Sequence, residues 1–248
     1  MKEIAVSVII FFFRRVNSLI AALGGPSVMP FEHACFVSYR HHEQSQLAER
    51  FIIDLFEALR NEVSLMVNED VYLDRDRMQG GTFFNPALAG ALCKSICMIV
   101  VYTPTYFSRT YPYCAREYHA METLERRRLQ RLQGQQARES GFIIPIVLRG
   151  VESLPPSIRA ERHYYSFERF SLTSRAIARN PQFERYVREI AGVIHTRRQA
   201  LAPYADELTS DCQNFVFPTE AEVLFWLDTI VPLVPPVGRF PFPGGTGT

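Results

Sequence analysis

The sequence predicts an α/β fold in which five parallel strands form one sheet covered by helices on both faces. Three observations carry this. Short, almost wholly apolar runs alternate with longer segments whose apolar residues recur every three or four positions. The short runs are apolar on both sides, as strands buried in a parallel sheet must be. Proline, glycine and small polar residues punctuate the joins.

Ala34 to Tyr39 reads as the first strand. Leu47, Phe51, Leu55 and Leu59 then recur every four residues, giving one apolar face of a long helix. Val71-Tyr72-Leu73 is a second short strand, ending in the polar run Asp74 to Gly81. Asn85-Pro86 leads into a helix with Leu88, Ala91 and Leu92 on one side. Ile96 to Tyr102 is apolar and β-branched, the clearest central strand, closed by Thr103-Pro104. A helix from Cys114 carries Tyr118, Met121, Leu124 and Leu132. Phe142 to Leu148 is a fourth strand, whose internal Pro145 predicts an edge position or a bulge. Tyr164-Tyr165 forms a last short strand. Phe183, Val187, Ile190 and Ile194 mark a closing helix with Pro181 near its start. Thr219 to Ile230 reads as an appended amphipathic helix, followed by a tail rich in proline and glycine. The expected organisation is an apolar extension over 1–30, one domain over 31–198, and a C-terminal appendage over 199–248.

The chain has 248 residues, enough for such a domain with appendages and for a core that needs no metal or disulfide staple. With 47% hydrophobic and 21% charged residues it is globular in composition, which excludes a disordered chain. A net charge of +1 argues for no nucleic-acid partner. The run from Glu125 through Arg131 lies in a helical pattern and is expected to be a solvated face. The five cysteines lack paired zinc-ligand spacing, so buried thiols in a reducing cytoplasm are expected, with no bound metal. Ile4 to Phe13 is too short to span a bilayer, and its arginines follow the apolar stretch instead of preceding it as in a signal peptide. A cytoplasmic chain with no membrane span is therefore expected.

In open parallel sheets ligands bind beyond the carboxyl ends of the strands. The candidate site is thus Ser38-Tyr39-Arg40, the run Asp74 to Gly81, Thr103 to Phe107, and the start of the Cys114 helix. Tyr39 and Arg40 can stack on a base or pair with a diphosphate, or form a plain surface turn. Asp74 suits loop capping better than substrate contact. Cys114 has no base marked beside it, so a packed thiol is favoured over a nucleophile. Asp70, Asp74 and Asp76 hint at a metal cluster, but Arg75 and Arg77 between and beside them point to a mixed-charge loop.

The same strand-end segments resemble those of Toll/interleukin-receptor (TIR) domains. Phe36-Val37-Ser38-Tyr39-Arg40 resembles the family's first box. Tyr72 through Gly81 resembles its second strand and long loop. Ser95 to Tyr102 with Thr103-Pro104-Thr105-Tyr106-Phe107-Ser108 resembles its third strand and Ser-Pro-x-Tyr-x-x-Ser tail. Tyr113-Cys114-Ala115-Arg116-Glu117 resembles its Trp-Cys-x-x-Glu segment. Tyr113 stands where Trp is usual, Thr103 where Ser is usual, and Gln79-Gly80-Gly81 where Pro-Gly is common; none removes a group needed for chemistry. The resemblance implies a three-layer, flavodoxin-like TIR fold. It also implies NAD⁺ as substrate, with no separate cofactor, Glu117 as the essential carboxylate, and Gly81 and Phe83 in a loop closing over the nicotinamide side. Ser38, Tyr39, Arg40, Asp74, Tyr106 and Cys114 would line the substrate. Stand-alone bacterial members often act in antiphage defence, making ADP-ribose or a cyclic ADP-ribose-type signal sensed by an effector protein. Other members only self-associate, which leaves a non-catalytic scaffold as the alternative.

One carboxylate suffices chemically. Nicotinamide leaves NAD⁺ as a neutral base and needs no general acid, while the ribose becomes oxocarbenium-like and positive, which a fixed carboxylate beside it stabilises. Ordinary glycosidases need a carboxylic acid as well. Glu117 is expected in the first turn of its helix, where the helix dipole favours the ionised form. A nucleoside deoxyribosyltransferase-like enzyme would leave the Cys114 to Glu117 box unexplained. A receiver-like phospho-switch would need acids where Ser38-Tyr39-Arg40 stand.

Overall fold

The computed structural model describes residues 31–41, 45–73, 86–132, 141–170 and 177–230. Five parallel strands form one sheet in the order β2-β1-β3-β4-β5: β1 (His33–Tyr39), β2 (Asp70–Leu73), β3 (Ser95–Tyr102), β4 (Ile143–Val147) and β5 (Tyr165–Ser166). This 2-1-3-4-5 order is that of flavodoxin-like doubly wound sheets. Between and after the strands come α1 (Gln46–Ser64), α2 (Pro86–Cys93), α3 (Tyr113–Arg131), α4 (Pro156–Glu161), α5 (Pro181–Leu201), α6 (Ala205–Thr209) and α7 (Glu220–Ile230). Helices α1 and α5 pack together on one face of the sheet, and α2 and α3 pack together on the other, giving three layers. All eight residues of β3 are buried, as the predicted central strand requires.

Local chemistry sets the helix ends. Ser45 accepts from the Ala48 amide at 3.3 Å and starts α1. Asn180 accepts from Gln182 and Phe183 at 2.9 and 3.4 Å, with Pro181 as the first helical residue of α5. After β4, Gly150 has φ +79°, and a Cβ there would lie 2.6 Å from the Pro104 ring beyond β3. Only glycine lets the two neighbouring strand ends come this close.

Pro145 corrects the sequence expectation: β4 lies inside the sheet, between β3 and β5. Groups along a strand point alternately to the two neighbours. Phe142 and Leu148 bond to β3 and Val147 to the β5 side, so the Pro145 nitrogen faces β5. There, the two-residue β5 pairs only with Ile146 and Val147, and no ladder bond is lost.

The charged run on α3 is a second correction. Arg126, Arg127 and Arg131 are exposed, but Glu125 and Arg128, three residues apart, turn inward. The Arg128 guanidinium donates to the carbonyls of Ile96 (2.8 Å), Ser95 (2.8 Å) and Cys93 (3.1 Å), at the end of α2 and the start of β3. Burial pulls it down to about 10.

The cysteines are the third. Cys93 and Cys212 form a disulfide with Cα atoms 5.5 Å apart, joining the end of α2 to the segment after α6. Their separation of 119 residues gives no sequence signal. Cys35, Cys97 and Cys114 are buried thiols outside the disulfide, as expected. Burial raises the Cys35 thiol well above its ordinary value and pushes that of Cys97 up to about 12, which leaves both inert. Beyond Cys212, α7 lies against α3. Trp226 stacks on His119, with ring centroids 4.9 Å apart, and packs beside Tyr118 and Phe107. Arg109 pairs with Asp228. Among the described residues no helix is long and apolar enough to cross a membrane.

Candidate functional site

The carboxyl ends of β1 and β3 lie side by side, with Ser38 opposite Val100 and Tyr39 opposite Val101. Alternation along β1 turns Ser38 toward α3. Past β3 the chain makes a tight turn, closed by the Tyr106 amide on the Thr103 carbonyl at 2.9 Å, which carries the Tyr106 ring under the strand ends. Helix α3 then crosses this point and supplies Glu117.

Three side chains meet there. Ser38 Oγ donates to Glu117 Oε2 at 2.6 Å, and Ser38 Oγ and the Tyr106 hydroxyl are 2.7 Å apart. Ser38 is 1% exposed, Tyr106 0% and Glu117 2%. A carboxyl group buried this deeply needs hydrogen-bond partners, and the serine hydroxyl at 2.6 Å is a close one. Glu117 is the fifth residue of α3, not in its first turn, where no acid stands. Because the dipole acts mainly within the first turn, the Ser38 hydroxyl is the more direct stabiliser.

The other predicted residues divide. Tyr39 is buried, its ring 4.6 Å from that of His41, and its carbonyl accepts from the Cys114 thiol at 3.3 Å. Cys114 is thus a packed thiol linking β1 to α3. Arg40 lies with its guanidinium 4.4 Å over the Tyr111 ring and donates to the Tyr111 carbonyl at 3.3 Å. Asp74, Gly81 and Phe83 fall outside the described residues. Asp70 is engaged by Arg60 through two bonds of 3.0 and 3.1 Å. Among the described residues no group of three or more His, Cys, Asp or Glu side chains is placed to hold a metal.

Arg116 is the neighbour that sequence reasoning passed over. It is 8% exposed, and burial lowers its guanidinium below the ordinary value against the opposing charges of Glu220, Tyr113 and Glu222. Two of those acids belong to α7, 104 and 106 positions further on, so no local pattern could flag them. Burial likewise raises the Tyr118 hydroxyl above its usual range.

Two open clefts, of about 550 and 300 Å³, lie away from this point. The first is lined by Tyr165 and residues of α5, the second by Cys93, α3 and the segment around α6.

No family model matches the chain, and no curated protein matches it. Among solved structures, the chain resembles the TIR domains in the activated Roq1 resistosome that directly recognises the pathogen effector XopQ. That likeness has 15% identity, covers 79% of this chain and 96% of the other, and has a TM-score of 0.30. The strand order, the parallel register and the three layers, read directly from the structure, establish the α/β fold class.

Proposed function

We propose that this chain cleaves the bond between nicotinamide and ribose in NAD⁺, with Glu117 as the carboxylate that stabilises the positive ribose. The observation that carries the reading is the Glu117 carboxylate held at 2.6 Å by Ser38 beneath the ends of β1 and β3. That is the position at which open parallel sheets bind ligands. The TIR-like boxes that deliver these side chains support it. Departure of neutral nicotinamide needs no proton, so one fixed anion is sufficient chemistry. Water capture gives ADP-ribose; capture by an internal nucleophile gives a cyclic product. We extend the reading to the setting the boxes imply, a bacterial antiphage enzyme whose product an effector protein senses.

The test is nicotinamide release from NAD⁺ by concentrated protein, followed by chromatography, with mass analysis of the second product. Glu117→Gln should lower the rate by about 100-fold or more, the scale of losing one transition-state contact. A rate unaffected by that change removes Glu117 from the chemistry.

A second reading has its own observation. Glu117 is 2% exposed and neither cleft reaches it, so a ribose must displace neighbouring chain to touch it. A scaffold that acts by self-association has no such requirement. Concentration-dependent sedimentation without nicotinamide release would favour it.

A further inference from the structure

We propose that Ser38 and Tyr106 are positioning residues for Glu117, a two-hydroxyl relay that fixes its carboxylate in one rotation and holds it ionised. The proposal rests on the reading of Glu117 above for its catalytic meaning, though not for its test.

The argument is a count of protons. Ser38 has one hydroxyl proton, and it is committed to Glu117 Oε2 at 2.6 Å. The 2.7 Å contact between Ser38 Oγ and the Tyr106 hydroxyl must then use the tyrosine's proton. Both protons therefore point toward the carboxylate, and the outer bond polarises the inner one. A protonated Glu117 can still accept from Ser38 on one oxygen, but a neutral carboxyl oxygen is a weaker acceptor than a carboxylate, so the relay favours the ionised form.

Water does not substitute for the relay, because all three groups are buried. Nor is the geometry adjustable. Ser38 is set by the β1–β3 register, Tyr106 by the turn closed on Thr103, and Glu117 by the helix whose Cys114 thiol is bonded to the Tyr39 carbonyl. Among the described residues, the charged and titratable groups on the surrounding elements are Arg40 and His41 past β1, Tyr106 past β3, Cys114, Arg116 and Tyr118 on α3, and Glu220 and Glu222 on α7, which act on Arg116. Ser38 donates to Glu117 Oε2.

The test uses the full chain and two readouts. In urea unfolding, Ser38→Ala should reduce the folding equilibrium constant about tenfold more at about pH 7 than at about pH 3, below the ordinary glutamate value of about 4.3. In a Glu117→Gln background that pH difference should vanish. A cost equal at both pH values, or one surviving in the Gln background, overturns the relay and leaves an ordinary structural hydrogen bond. If Ser38→Ala does not fold, Tyr106→Phe and the near-isosteric Ser38→Cys carry the same comparison, with smaller expected effects of the same sign. In NAD⁺ turnover, the acid limb of the pH profile should move up by about one unit in Ser38→Ala, with kcat falling and KM within about twofold. A limb that stays in place, on protein that turns over, also overturns the proposal. Wild type that releases no nicotinamide sinks the proposed function alone, since the unfolding arm still decides the relay.

Discussion

The guanidinium of Arg162 closes on the carboxylate of Glu125 through two bonds, Nη2 to Oε2 at 2.6 Å and Nη1 to Oε1 at 3.0 Å. Glu125 Oε1 also accepts from the amides of Phe142 (2.6 Å) and Ile143 (3.3 Å), while Arg162 Nε donates to the Tyr118 hydroxyl at 3.0 Å. One carboxylate thereby ties α3 to the start of β4 and to the residue that follows α4. Removing it strands a nearly buried cation and two amides. Glu125→Ala should lower the unfolding free energy by about 3–5 kcal/mol. Adding Arg162→Met should then cost less than the sum of the two single changes, by about 1 kcal/mol or more. Urea titrations of the four proteins measure this; additive costs would mean the two side chains act independently.

Arg128 does a related task without an acid, by bonding three carbonyls at the junction of α2 and β3. Arg128→Met removes the charged donor from three buried carbonyls, each such bond being worth about 1.5–3 kcal/mol, partly offset by relief of the buried charge. A net loss of about 2 kcal/mol or more is expected. Arg128→Lys should recover less than half, because an ammonium cannot span three acceptors set in a fork. Thermal or urea unfolding gives the answer, and a neutral Arg128→Met would show that the carbonyls find other donors.

His33, at the start of β1 against Tyr72, has its imidazole held below the ordinary value by burial, opposed by the charges of Glu32 and Asp70. The unfolded chain therefore binds a proton more readily than the folded one. Stability from this group is present above the ordinary imidazole range and is lost as pH falls through it. The unfolding midpoint should drop over that interval in wild type and drop less in His33→Gln. Equal slopes would exclude His33 as a source.

The appendage can be followed by its own reporter, since Trp226 is the single tryptophan. With the Cys93–Cys212 bond intact, its emission should change together with the far-ultraviolet circular dichroism. After reduction by a dithiol, which takes up the disulfide as its own cyclic disulfide, the Trp226 change should come at lower urea. The whole protein should also lose up to about 5 kcal/mol, the entropy model's scale for so long a loop. Coincident transitions in both states would mean that α7 docks without help from the bond.

The sheet was legible because strand burial is written locally. Ile96 to Tyr102 has no polar interruption, and β3 is buried along its whole length. The point where Ser38, Tyr106 and Glu117 meet was legible for the same reason, since each follows or crosses a recognisable strand end. That Ser38 and Tyr106 touch Glu117 was not, because contact depends on register and on a turn. Glu125 and Arg128 could have been separated from their exposed neighbours by helical spacing alone, as both sit on the side carrying Met121, Leu124 and Leu132. The composition of the charged run concealed it. Arg162, Trp226 and Cys212 reach their partners across 37, 107 and 119 positions, and nothing local announces such pairings.

The bond between Cys93 and Cys212 also closes a covalent ring that includes Glu117. A protease that severs one peptide link anywhere inside the ring opens it without shedding a fragment, and the nicked chain migrates as one species on a gel until the sulfurs are parted. Cleavage before Cys93 or after Cys212, by contrast, releases a piece at once.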